Sequence, residues 1–211
     1  MTDGQSPIED AFVRVYQGSE WGKGSGPGSS PSNTIEYRAF VSRFIEANNV
    51  CSVTDLGCGD WQFSSLMDWT GIDYLGLDAV PAIIETNRSR FAHSSVRFDV
   101  SSSPADLPGG DLLLSKEVLQ HLPNSVIADY LSAIERKYRF ALLTNSLRPA
   151  RLANVDIEPG DFRPIHLQKP PFNATGAMVF TYFSLTDTFI WKNGVFLLLG
   201  NRNTMSDLAG A

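Results

Sequence analysis

The stretch that most constrains this chain is residues 53–61, in which the pattern of a buried strand stops at a turn with two glycines. The segment of residues 50–56 is short, apolar and rich in β-branched side chains, which is typical of a central parallel strand. Gly57 and Gly59 allow positive φ and a close approach between the backbone and a ligand. We expect a helix to begin near Asp60 and to direct its free N–H groups at that ligand. The stretch therefore predicts a strand, a ligand-binding turn and a helix in succession.

The details of this turn separate one class of nucleotide cofactor from another. A dinucleotide-binding fingerprint needs a third glycine where this chain has Gln62, which counts against a nicotinamide-dependent oxidoreductase. Two acidic residues are present instead. Asp55 lies two positions before Gly57, and Asp78 ends a second strand predicted over residues 72–77. The pattern favours a cofactor that has no pyrophosphate to place at a helix terminus.

The sequence from Asp55 to Gly59, followed by Asp78, resembles the cofactor site of class I S-adenosylmethionine-dependent methyltransferases. In that family the glycine turn passes under the methionine part of the cofactor, and the acid that ends the second strand binds both ribose hydroxyls. The resemblance implies S-adenosylmethionine as cofactor and S-adenosylhomocysteine as product. The implied cofactor-binding residues are Asp55, Gly57, Cys58, Gly59, Asp60, Trp61, Asp78, Ala79, Asp99, Val100, Lys116, Glu117 and Arg38. Asp99 fits the position that binds the adenine amino group, with a turn-capping role as the alternative.

Two further segments extend the resemblance over nearly the whole chain. Residues 25–29 (Ser-Gly-Pro-Gly-Ser) and residues 154–173 look like segments of a small bacterial subgroup of these enzymes. Phe162 of this chain stands at a position where that subgroup usually has Trp. A flexible linker and a proline-rigidified connection are the respective alternatives. The predicted acceptor contacts come from these two segments, from the residues just before the first and from the helix after it: Trp21, Lys23, Ser25, Ser29, Tyr37, Arg163, His166 and Asn173.

His121 and Asp161 are the candidate general bases, because a hydroxyl acceptor must lose a proton when it is methylated. Imidazole titrates near neutrality, although a lone histidine is more often structural. An anionic phosphate or phosphonate oxygen needs no base, and the Ser/Gly-rich loop with Lys23 and Arg163 makes it a second hypothesis for the acceptor. The alternative function is a module that binds the cofactor or its product without catalysis. The two polar loop segments favour the enzyme.

The remaining segments predict an α/β fold: a Rossmann-like, doubly wound, mainly parallel seven-stranded sheet with a terminal antiparallel strand. We expect residues 1–48 to supply N-terminal helices and a Gly/Ser-rich covering loop, and residues 49–211 to form the methyltransferase domain. Residues 61–69 are predicted as the first crossover helix, and Pro81 begins the second. A turn is predicted at residues 192–194, between the last two strands.

The composition limits the partners. The chain has 211 residues, 43% of them apolar, which suits a folded α/β domain. A formal net charge of −6 argues against a nucleic-acid partner, because phosphate binding usually needs a basic face. The sequence has neither a leader pattern nor a long apolar run, so we expect a cytoplasmic protein without a membrane partner. Its two cysteines form no metal-type pair, so we expect reduced thiols and no metal. Both a monomer and a homodimer stay open.

Overall fold

The computed structural model describes residues 6–22, 24–147, 154–186 and 190–200. Its helices are α1 (Pro7–Gly18), α2 (Ile35–Ala47), α3 (Pro81–Phe91) and α4 (Asn124–Lys137). Its strands are β1 (Ser52–Leu56), β2 (Asp73–Asp78), β3 (Val96–Val100), β4 (Gly110–Lys116), β5 (Tyr138–Leu147), β6 (Gly176–Leu185) and β7 (Ile190–Leu199). In these residues no helix is long and apolar enough to span a bilayer.

The strands form one sheet in the order β3-β2-β1-β4-β5-β7-β6. Strands β1 to β5 pair in parallel, and β7 is antiparallel to both of its neighbours. This arrangement confirms the predicted doubly wound, mainly parallel sheet with an antiparallel last strand. The strand order reverses between β1 and β4, and ligands of such sheets bind where the carboxyl ends of the strands meet this reversal.

Helices cover both faces of the sheet, as the alternating side chains of β4 illustrate. Leu113 belongs to an apolar cluster that includes Ile127 of α4, whereas Leu112 and Leu114 belong to a second cluster that includes Tyr37 of α2. Successive residues of a strand point to opposite faces, so a run of leucines is buried on both sides. The predicted helix start at Pro81 is confirmed, because α3 begins at this residue.

The predicted crossover helix over residues 61–69 is wrong. The segment contains one short 3₁₀ turn, Ser64–Leu66, and Trp61 has a φ of 59°, which an α-helix does not allow. The indoles of Trp61 and Trp69 pack against the ring of Tyr74 in β2, with centroids 5.6 and 4.4 Å away. Aromatic packing thus fills the space that a helix was expected to cover, and no helix begins near Asp60.

The predicted turn at residues 192–194 is also wrong, because these residues lie inside β7. The buried Asn193 donates a hydrogen bond to the Ser184 hydroxyl across the hairpin (2.8 Å). A Cβ at Gly194 would come within 2.6 Å of the Met178 sulfur, so a glycine is needed here because the neighbouring strand leaves no room for a side chain. Leu147 at the carboxyl end of β5 pairs with Lys192 near the start of β7, so the β6–β7 hairpin reaches the edge of the sheet at which the parallel strands end.

Candidate active site

A cavity of about 910 Å³ opens at the carboxyl ends of the parallel strands. This volume is near the top of the range of roughly 300–1,000 Å³ that is typical of small-molecule sites. Its lining comes from the carboxyl ends of β1 to β5 with the segments that follow them, from described residues of the N-terminal segment 8–29, from the loop that contains Phe162, from Tyr130 of α4 and from the β6–β7 hairpin. The position agrees with the ligand site expected at the reversal of strand order.

The glycine turn forms one side of this cavity. Gly57 and Gly59 have φ values of 75° and 54°, and a Cβ at Gly59 would come within 2.1 Å of the Ser25 hydroxyl oxygen. The Gly59 N–H donates to Asp78 Oδ2 (3.0 Å), and the Val80 N–H donates to Oδ1 (3.0 Å). Burial raises the pKa of the Asp78 carboxyl to about 6. The turn and the end of β2 are thereby locked together, with the carboxyl group on the cavity wall.

Residues 24–29, here called the covering loop, lie against the glycine turn. The Ser25 hydroxyl accepts the Asp60 backbone N–H (3.0 Å) and donates to the Asp60 carboxylate (2.7 Å). The Tyr16 hydroxyl lies 2.9 Å from the same oxygen and connects the loop to α1. These contacts hold Ser25 on the cavity wall, which Ser29 of the same loop also lines.

An ion pair lies at the end of β4. The Lys116 ammonium is buried, pairs with the Glu117 carboxylate and donates to the Gly28 carbonyl (2.8 Å). The Trp191 indole N–H donates to the other carboxylate oxygen of Glu117 (3.4 Å). Glu117 has a φ of 59°, a strained conformation for a residue with a long side chain. The pair connects β4 to both the covering loop and the hairpin.

His121 follows β4 and is buried on the cavity wall. Its Nδ1 lies 2.9 Å from the carbonyl oxygen of Asp161. Because a carbonyl only accepts hydrogen bonds, we assign the ring proton to Nδ1, which leaves Nε2 free to accept a proton. Burial lowers the pKa of His121 and so favours the neutral ring at pH 7. A neutral ring held in this way can take up a proton at Nε2.

Ten of the predicted site residues line the cavity. They are Trp21, Ser25, Ser29, Gly57, Gly59, Asp78, Ala79, Lys116, Glu117 and His121. Most of them follow directly from strand ends or from the covering loop, which explains why local sequence patterns found them. Lys23 lies outside the described residues.

Four residues predicted to bind the cofactor, Asp55, Cys58, Asp60 and Trp61, lie in or beside the glycine turn but do not line the cavity. Asp55 is buried and accepts hydrogen bonds from the hydroxyls of Tyr74 (2.5 Å) and Ser64 (3.2 Å), and burial raises its pKa to about 6. The Trp61 indole donates to the Tyr74 hydroxyl (2.8 Å). Cys58 is buried, and the Asp60 carboxylate is occupied by Ser25. None of these four side chains is part of the cavity lining.

Three further residues of that set lie away from the cavity. The exposed carboxylate of Asp99 pairs with Arg88 (2.7 Å) and accepts the backbone N–H of Val100, whose side chain is itself exposed. Arg38 donates to the carbonyl of Pro31 (3.2 Å). The structure therefore does not bring Asp99, Val100 or Arg38 to the site.

Two predicted site residues of the later loop, the acceptor contact Arg163 and the candidate base Asp161, are not part of the cavity lining. Arg163 is buried, and its guanidinium donates to the Gln120 carbonyl (3.1 Å) and the Asn124 side chain (2.8 Å). These bonds hold the segment that carries His121. Asp161 acts through its backbone carbonyl, and its side chain is exposed.

The other three predicted acceptor contacts also lie outside the cavity. Tyr37 is fully buried between the rings of Phe63 and Tyr182. His166 lines a separate pocket of about 90 Å³, and Asn173 is exposed.

Sequence reasoning missed three contributions to the site. Ser101 and Ser102 line the cavity directly after β3, and their position at a strand end was an available signal. Phe183 and Trp191 enter from the hairpin, whose register no local pattern revealed. The Asn33 side-chain amide donates to the Leu185 carbonyl (2.8 Å) and accepts a hydrogen bond from the Leu185 N–H (2.9 Å), so it connects the N-terminal region to the end of β6.

In the described residues, no group of three or more His, Cys, Asp or Glu is placed to hold a metal ion.

Comparisons with known proteins give structural similarity only. No family model and no curated protein sequence matches the chain. Magnesium protoporphyrin IX methyltransferase from Synechocystis PCC 6803, solved with bound S-adenosylhomocysteine, is similar with a TM-score of 0.59 and 16% identity over 93% of this chain and 96% of its own. The 1,6-didemethyltoxoflavin N1-methyltransferase of Burkholderia thailandensis, also with S-adenosylhomocysteine, has a TM-score of 0.62 and 16% identity over 92% of this chain and 87% of its own.

A third similar structure was solved in work on the conversion of a disulfide bond into a thioacetal group during echinomycin biosynthesis. Its TM-score is 0.61, with 19% identity over 96% of this chain and 98% of its own. At these identities the similarity shows the fold, which is the one that these three proteins share.

Proposed function

We propose that this chain is an S-adenosylmethionine-dependent methyltransferase that acts on an oxygen of a small molecule, either a hydroxyl or an anionic oxygen. The observation that carries the proposal is the placement of the Asp78 carboxyl on the wall of a large cavity beside the Gly57–Gly59 turn. Two similar structures that contain S-adenosylhomocysteine support the choice of cofactor.

The residues present fit this cofactor. A carboxylate offers about four acceptor sites, and Asp78 uses two of them for backbone N–H groups, so it retains capacity for both hydroxyls of a ribose. Glu117 supplies a carboxylate for an ammonium group, and the glycines allow a close approach to the backbone. When bound, S-adenosylmethionine supplies a methyl group that is already activated by the sulfonium. The protein therefore mainly has to align the acceptor and exclude water.

His121 supports a hydroxyl acceptor in particular. Its Nδ1 is held by the Asp161 carbonyl, and its Nε2 can take the proton that a hydroxyl loses. An anionic oxygen would need no base, and the groups predicted to bind it are the Ser/Gly-rich loop, Lys23 and Arg163. The Arg163 guanidinium is bonded to the Gln120 carbonyl and the Asn124 side chain, outside the cavity lining.

Calorimetric titration with S-adenosylhomocysteine and with NADH tests the cofactor class. We expect micromolar binding of the first and none of the second, and the reverse result would overturn the proposal. The alternative of a non-catalytic binding module is tested by incubating the protein with S-adenosylmethionine and a panel of hydroxyl compounds. A methyltransferase releases S-adenosylhomocysteine in step with a methylated product, whereas a binding module releases neither.

A further inference from the structure

Apart from the strand ends and the covering loop, the cavity lining is mainly aromatic and aliphatic. Three separate segments contribute: α1 with its following turn, the loop that contains Phe162, and the β6–β7 hairpin. The side chains concerned are Ile8, Phe12, Trp21, Phe162, Phe183, Ile190 and Trp191. A wall of this kind, brought together from distant parts of the chain, is typical of a site for an apolar ligand.

Several of these side chains are exposed to solvent although they line the cavity. The exposed fractions are 48% for Phe162, 59% for Phe183 and 67% for Ile190. Single exposed apolar residues are normal on a protein surface, but several around one cavity mark a place where a ligand covers them. The ligand that gains from this contact has apolar faces of its own.

The charges on the cavity wall do not favour an anion. Of the two lysines in the described lining, Lys116 is paired with Glu117, and the Lys192 ammonium lies 5.9 Å from the centroid of the Phe183 ring. Glu20 adds a negative charge to the same cavity, whereas the proposed function gives Asp78 to the cofactor. Beside the cofactor, a phosphate or phosphonate group would meet the Glu20 carboxylate and, in the described lining, no arginine and only one lysine that is not paired with an acid.

The candidate base lies among aromatic rings. The His121 ring is 4.9 Å from the Trp21 ring and 5.7 Å from the Phe162 ring, tilted by 44° and 46°. Aromatic ligands stack well in such surroundings. An aromatic hydroxyl has an ordinary pKa of about 10, which brings its proton within reach of a neutral imidazole.

We infer that the acceptor is an uncharged aromatic compound whose hydroxyl group enters the cavity beside His121. The inference rests on the proposed methyl transfer and narrows it to one substrate class. It assigns Phe162, Phe183 and Trp191 to acceptor binding, and it excludes the phosphate-type acceptor.

Two probes with the same ring system test this inference: 2-naphthol and 2-naphthyl phosphate. Each is titrated into the full-length protein in the presence of saturating S-adenosylhomocysteine, with saturation-transfer NMR to observe the ligand and calorimetry for affinity. We expect 2-naphthol to bind at least tenfold more tightly than its phosphate ester. Preferential binding of the phosphate, or binding of neither probe to protein that does bind S-adenosylhomocysteine, would overturn the inference and leave the proposed cofactor in place.

Variants of one loop make the test specific for the cavity. Phe162→Leu removes an exposed ring on the cavity wall, and Val155→Ala shortens an exposed apolar side chain on the same loop outside the lining. We expect 2-naphthol to bind at least fivefold more weakly to the first variant and unchanged to the second, with S-adenosylhomocysteine binding equal in both. Equal naphthol affinity in the two variants would contradict the assignment of Phe162. Failure of the wild-type protein to bind S-adenosylhomocysteine would contradict the proposed function itself.

Discussion

The hydroxyl of Ser25 bonds twice to Asp60, since it accepts the backbone N–H at 3.0 Å and donates to the carboxylate at 2.7 Å. The two residues lie on the covering loop and on the glycine turn, which are far apart in sequence. Gly59 has to be a glycine at this contact, because a Cβ would overlap the Ser25 oxygen. The N-terminal region is therefore part of the cavity wall.

Replacing Ser25 by alanine should loosen the covering loop and weaken cofactor binding. A hydrogen bond to a charged group contributes roughly 1.5–3 kcal/mol, so we expect a loss of about tenfold or more in affinity for S-adenosylhomocysteine. Calorimetric titration measures it. Ser30→Ala is the matched control, because the Ser30 hydroxyl bonds only to its neighbours Ser32 and Asn33. Equal affinity of the two variants would show that the Ser25 contact has no part in binding.

Asp99→Ala should change the affinity for S-adenosylhomocysteine by less than twofold. The family resemblance assigns this carboxylate to the adenine, but the structure has it exposed and paired with Arg88. The titration decides between the two, since loss of a charge-assisted contact to adenine would weaken binding roughly tenfold. A loss of that size would restore the assignment made from sequence.

Cofactor affinity should depend on pH through Asp78. Its pKa is raised to about 6 by burial, and the ionised form is the one that accepts the ribose hydroxyls. Binding should therefore tighten about tenfold per pH unit as the pH rises towards 6, and level off above pH 7. Titrations from pH 5 to 8 measure this slope. In Asp78→Asn the slope should disappear, and a slope that persists in this variant would assign the proton to another group.

His121→Asn should lower the rate of methyl transfer to a hydroxyl acceptor by roughly 10²- to 10⁴-fold, the usual contribution of a general base. Affinity for S-adenosylhomocysteine should stay within twofold. Because burial lowers the pKa of His121, the wild-type rate should fall only at a pH below the ordinary value of about 6.5. His93→Asn, at an exposed histidine, is the control. A variant that keeps the wild-type rate would exclude His121 as the base.

Local patterns predicted the strands at residues 50–56 and 72–77 because a short apolar segment that is buried in a sheet can be recognised from its own residues. Pro81 lacks a backbone N–H and is tolerated in the first turn of a helix, which is its position in α3. The helix expected over residues 61–69 failed because Trp61 and Trp69 pack around Tyr74, a tertiary contact that no helical periodicity encodes.

The same distinction applies to the site. Gly57, Gly59 and Asp78 were predicted because each lies at the end of a strand that could be recognised. Arg163 was misplaced because its charge suggested a ligand, whereas its guanidinium bonds to protein groups that include the Gln120 carbonyl. Phe183 and Trp191 line the cavity because of the register between β6 and β7. The prediction of a turn at residues 192–194, which lie inside β7, gave a wrong start for this strand and therefore no such register.

The most direct test of the cofactor site is a calorimetric titration of S-adenosylhomocysteine into the wild-type protein, Asp78→Ala and Asp73→Ala. Asp73 and Asp78 are the two ends of β2, and Asp73 is exposed and paired with Arg97. We predict micromolar binding to the wild type and to Asp73→Ala, and binding at least tenfold weaker, about 1.4 kcal/mol, to Asp78→Ala. Absence of binding to the folded wild type, or equal binding by the two variants, would contradict the account.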